Sequence, residues 1–470
     1  MSDIKIAIPL HGKMAARAFH QPFFRQKLAE GSLKPLYFLS PYYYRALTFD
    51  PTQYFELQVE QYDAQYNRHF LLQQLRMLRR FVIVTETTDM RFREMIETKL
   101  FDATLPGMAA QMIYVSALRR IPHIGRFLAW LEKRMYPTHA HDEYFAQQNV
   151  DCVLTPGMGN YNFWNEGNFA REAQRKGIPA FAAITNYDNI VNMGYRGFNP
   201  TCLAVWSRQM ADEVIKLHEY PAKKLEVVGA VQYDRYLQPL TMSREEFLTS
   251  IGLDPVKKTV FFAGGVNVNH YFEIYRIFVE QKERLWGGDF NFIVRPQPHA
   301  KLLDAPGWQV VEKLFVDAGV YVSNPGVVDA NGSRTQEIRI DLGMDDGPDE
   351  LNYLLRYSDV LVNNFSTMGL EAAICDLPTI HIGYDAYTFG VKFGVTTGFQ
   401  QRMTHNRRPL RLKASKVAKS DQQLLAFIEQ YLNDRSFDRE DRHEYAVSEC
   451  GELDGMATSR LTDMIKSRMK

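Results

Sequence analysis

Residues 358–380 read SDVLVNNFSTMGLEAAICDLPTI. Val360, Leu361 and Val362 form a strand-like apolar run that stops at Asn363-Asn364-Phe365-Ser366-Thr367. A helix-like stretch follows, with Glu371 four residues after Thr367. A strand leading straight into a helix is part of a parallel β-α-β unit. The same rhythm runs outward from this stretch in both directions. In the first half, strands are expected at 4–10, 36–39, 81–85, 150–155, 179–184, 202–206 and 225–228. In the second half they are expected at 259–263, 290–295, 319–323, 337–341, 359–363 and 377–382. Longer helical stretches separate them, and 421–470 reads as helix. At 470 residues the chain exceeds one ordinary core. The prediction is an α/β chain of two doubly wound, Rossmann-like domains, with a hinge near 238–256.

Composition narrows the function classes. Lys+Arg and Asp+Glu both number 55, so no global field favours nucleic acid, and any anion site is local. Cys152, Cys202, Cys375 and Cys450 lie far apart without a CxxC pair, which suits reduced core thiols. No run of about 18 apolar residues is present, and MSDIKIAIPLHGK reads as a first strand rather than a leader. The expected location is the cytoplasm.

Open parallel sheets bind ligands beyond the carboxyl ends of their strands. A helix beginning near Ser366 would aim unpaired N–H groups and its positive end there. Ser366 and Thr367 add hydroxyls, and Gly369 would admit close backbone approach. The result is a phosphate cradle that calls for no metal. Glu371 cannot complete a capping box, because positions 369 and 370 are Gly and Leu. It shares a helix face with Thr367 and suits ribose hydroxyls. A plain helix cap with an ordinary glutamate is the competing interpretation. RPQPH, from Arg295 to His299, follows another strand and offers cationic or hydrogen-bonding groups on a proline-stiffened loop. A proline-rich turn is its alternative. Gly264-Gly265 follow the strand that opens the second domain, as ligand-approach glycines or as a tight turn.

These blocks resemble the GT-B glycosyltransferase superfamily, and within it bacterial surface-polysaccharide transferases related to the CDP-glycerol glycerophosphotransferases. The resemblance rests on ITNYDNIVNMGYRGFNPTCLAVWSRQMADEVIKLHEYPAKKLEVVGAVQYDRY (184–236), FIVRPQPH, the 358–380 stretch and GELDGMATSRLTDMI (451–465). Tyr187 and Gln297 depart from the usual pattern. The resemblance implies an N-terminal acceptor domain, 1–238, and a nucleotide-donor domain, 239–435, facing across a cleft. A C-terminal helix, 436–470, would return to the first domain. It further implies a nucleotide-sugar donor, a glycan or lipid-linked glycan acceptor, and no cofactor or bound metal. Ser366 and Thr367 would meet the diphosphate and Glu371 the ribose, with Arg295 and His299 on the phosphate side.

Transfer needs a base for the acceptor hydroxyl. His11, just past the first strand in IPLHGK, is the first candidate, with an imidazole pKa of about 6.5. Asp188, in TNYDN after the strand 179–184, is the second. Each could instead shape its turn. Asn363 stands where retaining relatives commonly carry a second glutamate, which favours inversion. PGMGNYNFW (156–164) supplies a glycine loop and aromatic faces suited to a sugar, or simply packing residues. THAHD (138–142) reads as a helix start rather than a metal site, and DLGMDDGPDE (341–350) lacks calcium-loop spacing. The basic stretches 402–419 and 117–136 are solvated faces or a peripheral contact with the anionic inner face of a membrane. Two other functions share the fold: a non-hydrolysing sugar-nucleotide 2-epimerase, and a non-catalytic sugar-nucleotide-binding partner. PLHGK replaces the Arg- and Glu-bearing loop expected of the epimerase.

Overall fold

The computed structural model describes residues 3–10, 15, 18–39, 54–56, 70–99, 113–160, 164–264, 268–280, 289–296, 302, 306–323, 350–384 and 400–469. It forms two compact units, Met1–Asp234 with Ser448–Lys470, and Arg235–Val447.

The first unit is built on a seven-stranded sheet of order β3-β2-β1-β4-β5-β6-β7. Its strands are β1 (Ile4–Leu10), β2 (Leu33–Leu39), β3 (Tyr54–Glu56), β4 (Cys152–Pro156), β5 (Ala180–Ala183), β6 (Leu203–Val205) and β7 (Leu225–Val227). All pair in parallel. Central parallel strands are covered on both faces, and Ile6, Ala7, Ile8, Val153 and Leu154 are accordingly fully buried. The second unit carries a six-stranded sheet, β10-β9-β8-β11-β12-β13. Its strands are β8 (Lys258–Ala263), β9 (Phe290–Arg295), β10 (Tyr321–Val322), β11 (Val360–Asn363), β12 (Thr379–Ile382) and β13 (Lys416–Ala418), again all parallel. Phe262, Phe292, Val362 and Ile380 pack there against Tyr271, Trp308, Phe315 and Ile428.

Residues 81–85 are a correction. The apolar run FVIVT is the end of helix Phe70–Phe81 and the link to helix Glu86–Lys99. Phe81 packs against Phe92 and Val115. Thr85 and Thr88 then exchange backbone N–H to hydroxyl bonds, at 3.0 and 3.1 Å, which starts the next helix. The strand expected at 337–341 lies outside the described residues. The edge strands β3 and β13 are three residues each, too short for a periodic signal.

The chain returns to the first unit at Ser448. Helix Ala457–Met469 is capped there by Asp234, which accepts from the backbone of Ala457 (3.1 Å) and Thr458 (2.7 Å) and from the Thr458 hydroxyl (2.8 Å). Two sequence blocks, VQYDRY and GELDGMATS, thus meet in one cap. The helix packs on Pro22–Glu30, where a Cβ on Gly31 would stand 2.1 Å from Thr462 Cγ2. All four cysteines are free thiols. Among the described residues no helix is long and apolar enough to cross a membrane.

Candidate functional site

Each sheet reverses its strand order once, between β1 and β4 and between β8 and β11. Crevices outside such reversals are where doubly wound sheets take ligands.

In the second unit the loops after β8 and β11 meet at that point. Gly264 has φ +137°, and a Cβ there would lie 3.5 Å from the Asn364 nitrogen. Tyr271 donates to its carbonyl. Gly265 and His299 lie outside the described residues. Phe365 holds φ +53°, a left-handed conformation costly for a bulky residue. Two contacts hold it. Its ring stacks on His381 at 4.1 Å and 13°, and its N–H donates to Asn363 Oδ1 at 3.1 Å. His381 Nδ1 donates to the same oxygen at 2.5 Å. Burial pushes the His381 imidazole down to about 3, so it is a neutral strut.

The helix after this loop is Met368–Ile374. Its first donors are already satisfied, which corrects the expectation of unpaired N–H groups. Met368 N–H donates to Ser366 Oγ (3.2 Å), Gly369 N–H to Ser366 O (3.0 Å) and Leu370 N–H to Thr367 O (3.0 Å). Four donors of this turn remain without a partner among the described residues, the N–H groups and the hydroxyls of Ser366 and Thr367, and Asn363 Nδ2 beside them is buried without one. Gly369 lies against the sheet. A Cβ there would meet His381, Asn363 and Thr379 at 3.4–3.8 Å, ordinary contact distances, so the position faces the sheet and has room for an alanine. Glu371 is fully buried and accepts a 2.5 Å bond from the Tyr236 hydroxyl. Tyr236 accepts in turn from Arg235 Nη2 at 2.9 Å. Arg295 is likewise committed, donating to Ser323 Oγ (2.6 Å) and Glu350 Oε2 (3.0 Å). A guanidinium so buried needs that counter-ion, so it is a structural ion pair rather than a free phosphate contact.

In the first unit, His11 and residues 161–163 lie outside the described residues. Gly159 has φ +64°, and a Cβ there would stand 2.8 Å from Gly167 Cα. Arg79 donates to its carbonyl at 3.0 Å. The glycine therefore serves a backbone crossing, not a flexible platform. Asp188 precedes the short helix Asn189–Asn192. Its Oδ2 accepts from Asn192 Nδ2 at 3.1 Å, and its Oδ1 is buried with no partner. The neighbouring oxygens of Asn160, Thr185, Asn186 and Asn192, and both polar atoms of the Asn189 amide, are also buried and unpaired. The THAHD histidines are engaged elsewhere: His139 pairs with Asp142 and His141 with Glu172, each at 2.8 Å.

Sequence reasoning assigned no role to His381, Tyr236 or Asn189. The signals were present: a histidine inside the apolar strand TIHI, a tyrosine closing VQYDRY, and three asparagines within NYDNIVN.

No protein-family model and no curated relative matches the chain. Solved structures do. A putative UDP-N-acetylglucosamine 2-epimerase from Listeria monocytogenes covers 99% of this chain and 96% of its own, at 12% identity and TM-score 0.52. The UDP-GlcNAc 2-epimerase of Methanocaldococcus jannaschii covers 99% and 100%, at 11% identity and TM-score 0.51. S. aureus MnaA, solved with UDP, covers 98% and 96%, at 10% identity and TM-score 0.51. The likeness is one of fold. The chain has the GT-B architecture of two Rossmann-like domains.

Proposed function

We propose that the chain is a glycosyltransferase that uses a nucleotide-activated donor held by its second unit. The carrying observation is the loop at the β8–β11 reversal. It combines a strained, braced Phe365 with the free donors of Ser366 and Thr367, one turn before the buried carboxylate of Glu371. Such donors suit the charge that develops on a departing diphosphate. Glu371 faces the ribose by exchanging Tyr236 for a sugar hydroxyl. The three like-folded proteins support a sugar-nucleotide ligand, since two are UDP-GlcNAc epimerases by name and the third is seen with UDP.

The acceptor, a glycan or lipid-linked glycan of the cell surface, binds the first unit. His11 or Asp188 removes the proton of its hydroxyl. The oxygen then forms a bond to the donor's anomeric carbon, or to phosphorus if the unit is glycerol phosphate. The bond to the nucleotide breaks, and the nucleotide leaves with the electron pair. No metal enters this scheme.

The 2-epimerase is the second reading, favoured by the function of the like-folded enzymes. One incubation separates the two. Candidate donors, identified beforehand by thermal shift, are mixed with a glycan acceptor. Free nucleotide with an extended acceptor supports transfer. An isomerised donor with no nucleotide released supports epimerisation. Binding without turnover leaves a non-catalytic partner.

A further inference from the structure

We propose that the outward face of helix Ile124–Met135 docks this chain on an anionic lipid bilayer. Six of the sixteen exposed large hydrophobic side chains among the described residues fall within 113–135: Ile113, Tyr114, Ile121, Phe127, Trp130 and Met135. The helix buries Gly125, Leu128 and Glu132. At 3.6 residues per turn, Trp130, Arg134 and Phe127 lie opposite that stripe, with Arg126 and Lys133 beside them. Trp130 is 57% and Phe127 52% exposed, and their rings stack on each other at 5.9 Å. Large aromatics set outward among cations are the pattern of an interfacial helix.

The charge identifies the surface. Arg120, Lys133 and Arg134 are exposed and have no acidic partner among the described residues. The acids nearby are already used. Asp89 pairs with Arg119, and Glu219 pairs with His123 and Arg126. Glu132, the one acid of the helix, faces inward. Burial alone would raise its carboxyl, but Arg79, Arg171 and Arg76 hold it below the usual range. Among the described residues the exposed face is therefore basic and apolar, without a free acid. A second copy of this chain meets like charge there, whereas anionic lipid attracts each cation and takes up the aromatic rings. The Glu132 cluster anchors the helix from behind, so the face is presented on a rigid element.

The test is vesicle co-sedimentation of the full chain. The probes are phosphatidylcholine vesicles and vesicles of two parts phosphatidylcholine to one part phosphatidylglycerol. Binding is expected only with phosphatidylglycerol, and should weaken in high salt, where the Debye length falls from about 10 Å to about 3 Å. Lys133→Glu with Arg134→Glu should weaken it by roughly fivefold or more per site. Phe127→Ser with Trp130→Ser should weaken it by at least about tenfold. Circular dichroism should be unchanged in both, because all four side chains are exposed. Brominated lipid should quench wild-type fluorescence and lose that part in Trp130→Phe. Equal binding to both vesicles, binding to neither, or variants that bind as wild type would overturn the proposal. So would a wild-type dimer that Phe127→Ser/Trp130→Ser dissociates, which would make the face a contact between copies.

Discussion

The loop after β11 and the loop after β5 both leave the carboxyl edge of a parallel sheet, and they differ in how far they satisfy their own polar groups. After β11, the first donors of the following helix are closed within the loop itself, although Asn363 Nδ2 and Asn364 Oδ1 are buried without a partner. Ser366 and Thr367 satisfy the first helical turn, and Asn363 is bonded by His381 and by the Phe365 backbone. After β5, Thr185, Asn186, Asp188, Asn189 and Asn192 each leave a buried polar atom unpaired. An unpaired buried group costs about 1–3 kcal/mol, and native proteins hold few of them. The first loop is preorganised and offers a handful of donors to an anion. The second leaves polar atoms that water or a hydroxyl-rich ligand would satisfy.

The hardest break to that comparison is at the proposed base. His11→Ala should lower kcat by about 10²–10⁴-fold, the usual share of a positioned proton acceptor. Donor affinity should hold, because the proposed donor site is in the second unit. Asp188→Asn is the partner experiment: if it carries the loss while His11→Ala turns over near normally, the role moves to Asp188. Circular dichroism must show both variants folded.

His381 tests the preorganised side through pH. Its folded pKa is pushed down to about 3 by burial, against about 6.5 in the unfolded chain. Between those values the unfolded state binds more protons. Its share of stability is therefore complete above about pH 6.5 and falls as the solution is acidified. His20, His218 and His270 are depressed the same way, so the wild-type loss is shared. His381→Phe keeps a ring against Phe365 but removes the Nδ1–H bond to Asn363. It should cost about 1 kcal/mol at pH 7 and lose less than wild type toward pH 4. Parallel denaturation curves at the two pH values would contradict the neutral-strut assignment.

Glu371→Ala should weaken nucleotide binding by on the order of 1.5–3 kcal/mol, the worth of a charge-assisted hydrogen bond. Tyr236→Phe sharpens the result, because it removes the Tyr236 bond to Glu371 without removing the carboxylate. Its affinity should stay near wild type. Equal losses by calorimetry in both variants would mean that Glu371 serves only to hold Tyr236.

Much of the architecture was legible because parallel sheets write themselves as buried apolar runs: IKIAIPL, VLVN and TIHI are strands as expected. FVIVT misled because a helix end and a short link can carry the same residues as a strand, and the deciding Thr85–Thr88 cap is a pair of hydrogen bonds. The position of the β11 loop was legible too, from its abrupt change of residue type. Its internal bonding was not. Whether Ser366 Oγ accepts from Met368 depends on backbone angles. Arg295 shows the same limit: its partner Glu350 lies 55 residues away, beyond any motif.

The smallest effect concerns Asn189. It is 1% exposed, and neither its Nδ2 nor its Oδ1 has a partner. If nothing fills that role in the free protein, Asn189→Leu replaces an unsatisfied amide with an apolar group of similar size, a change that is near neutral or stabilising. The melting temperature should hold or rise by roughly 1 °C for each 1 kcal/mol gained at this chain size. The same variant should raise the acceptor KM, because hydroxyls that would have completed the amide lose their partner, while donor affinity stays fixed. Asn189→Asp is the control, keeping the shape while burying a charge, and should lower the melting temperature. A destabilised Asn189→Leu with unchanged acceptor KM would show that ordered water already satisfies the amide. The contrast between the two loops would then be one of hydration, not of ligand binding.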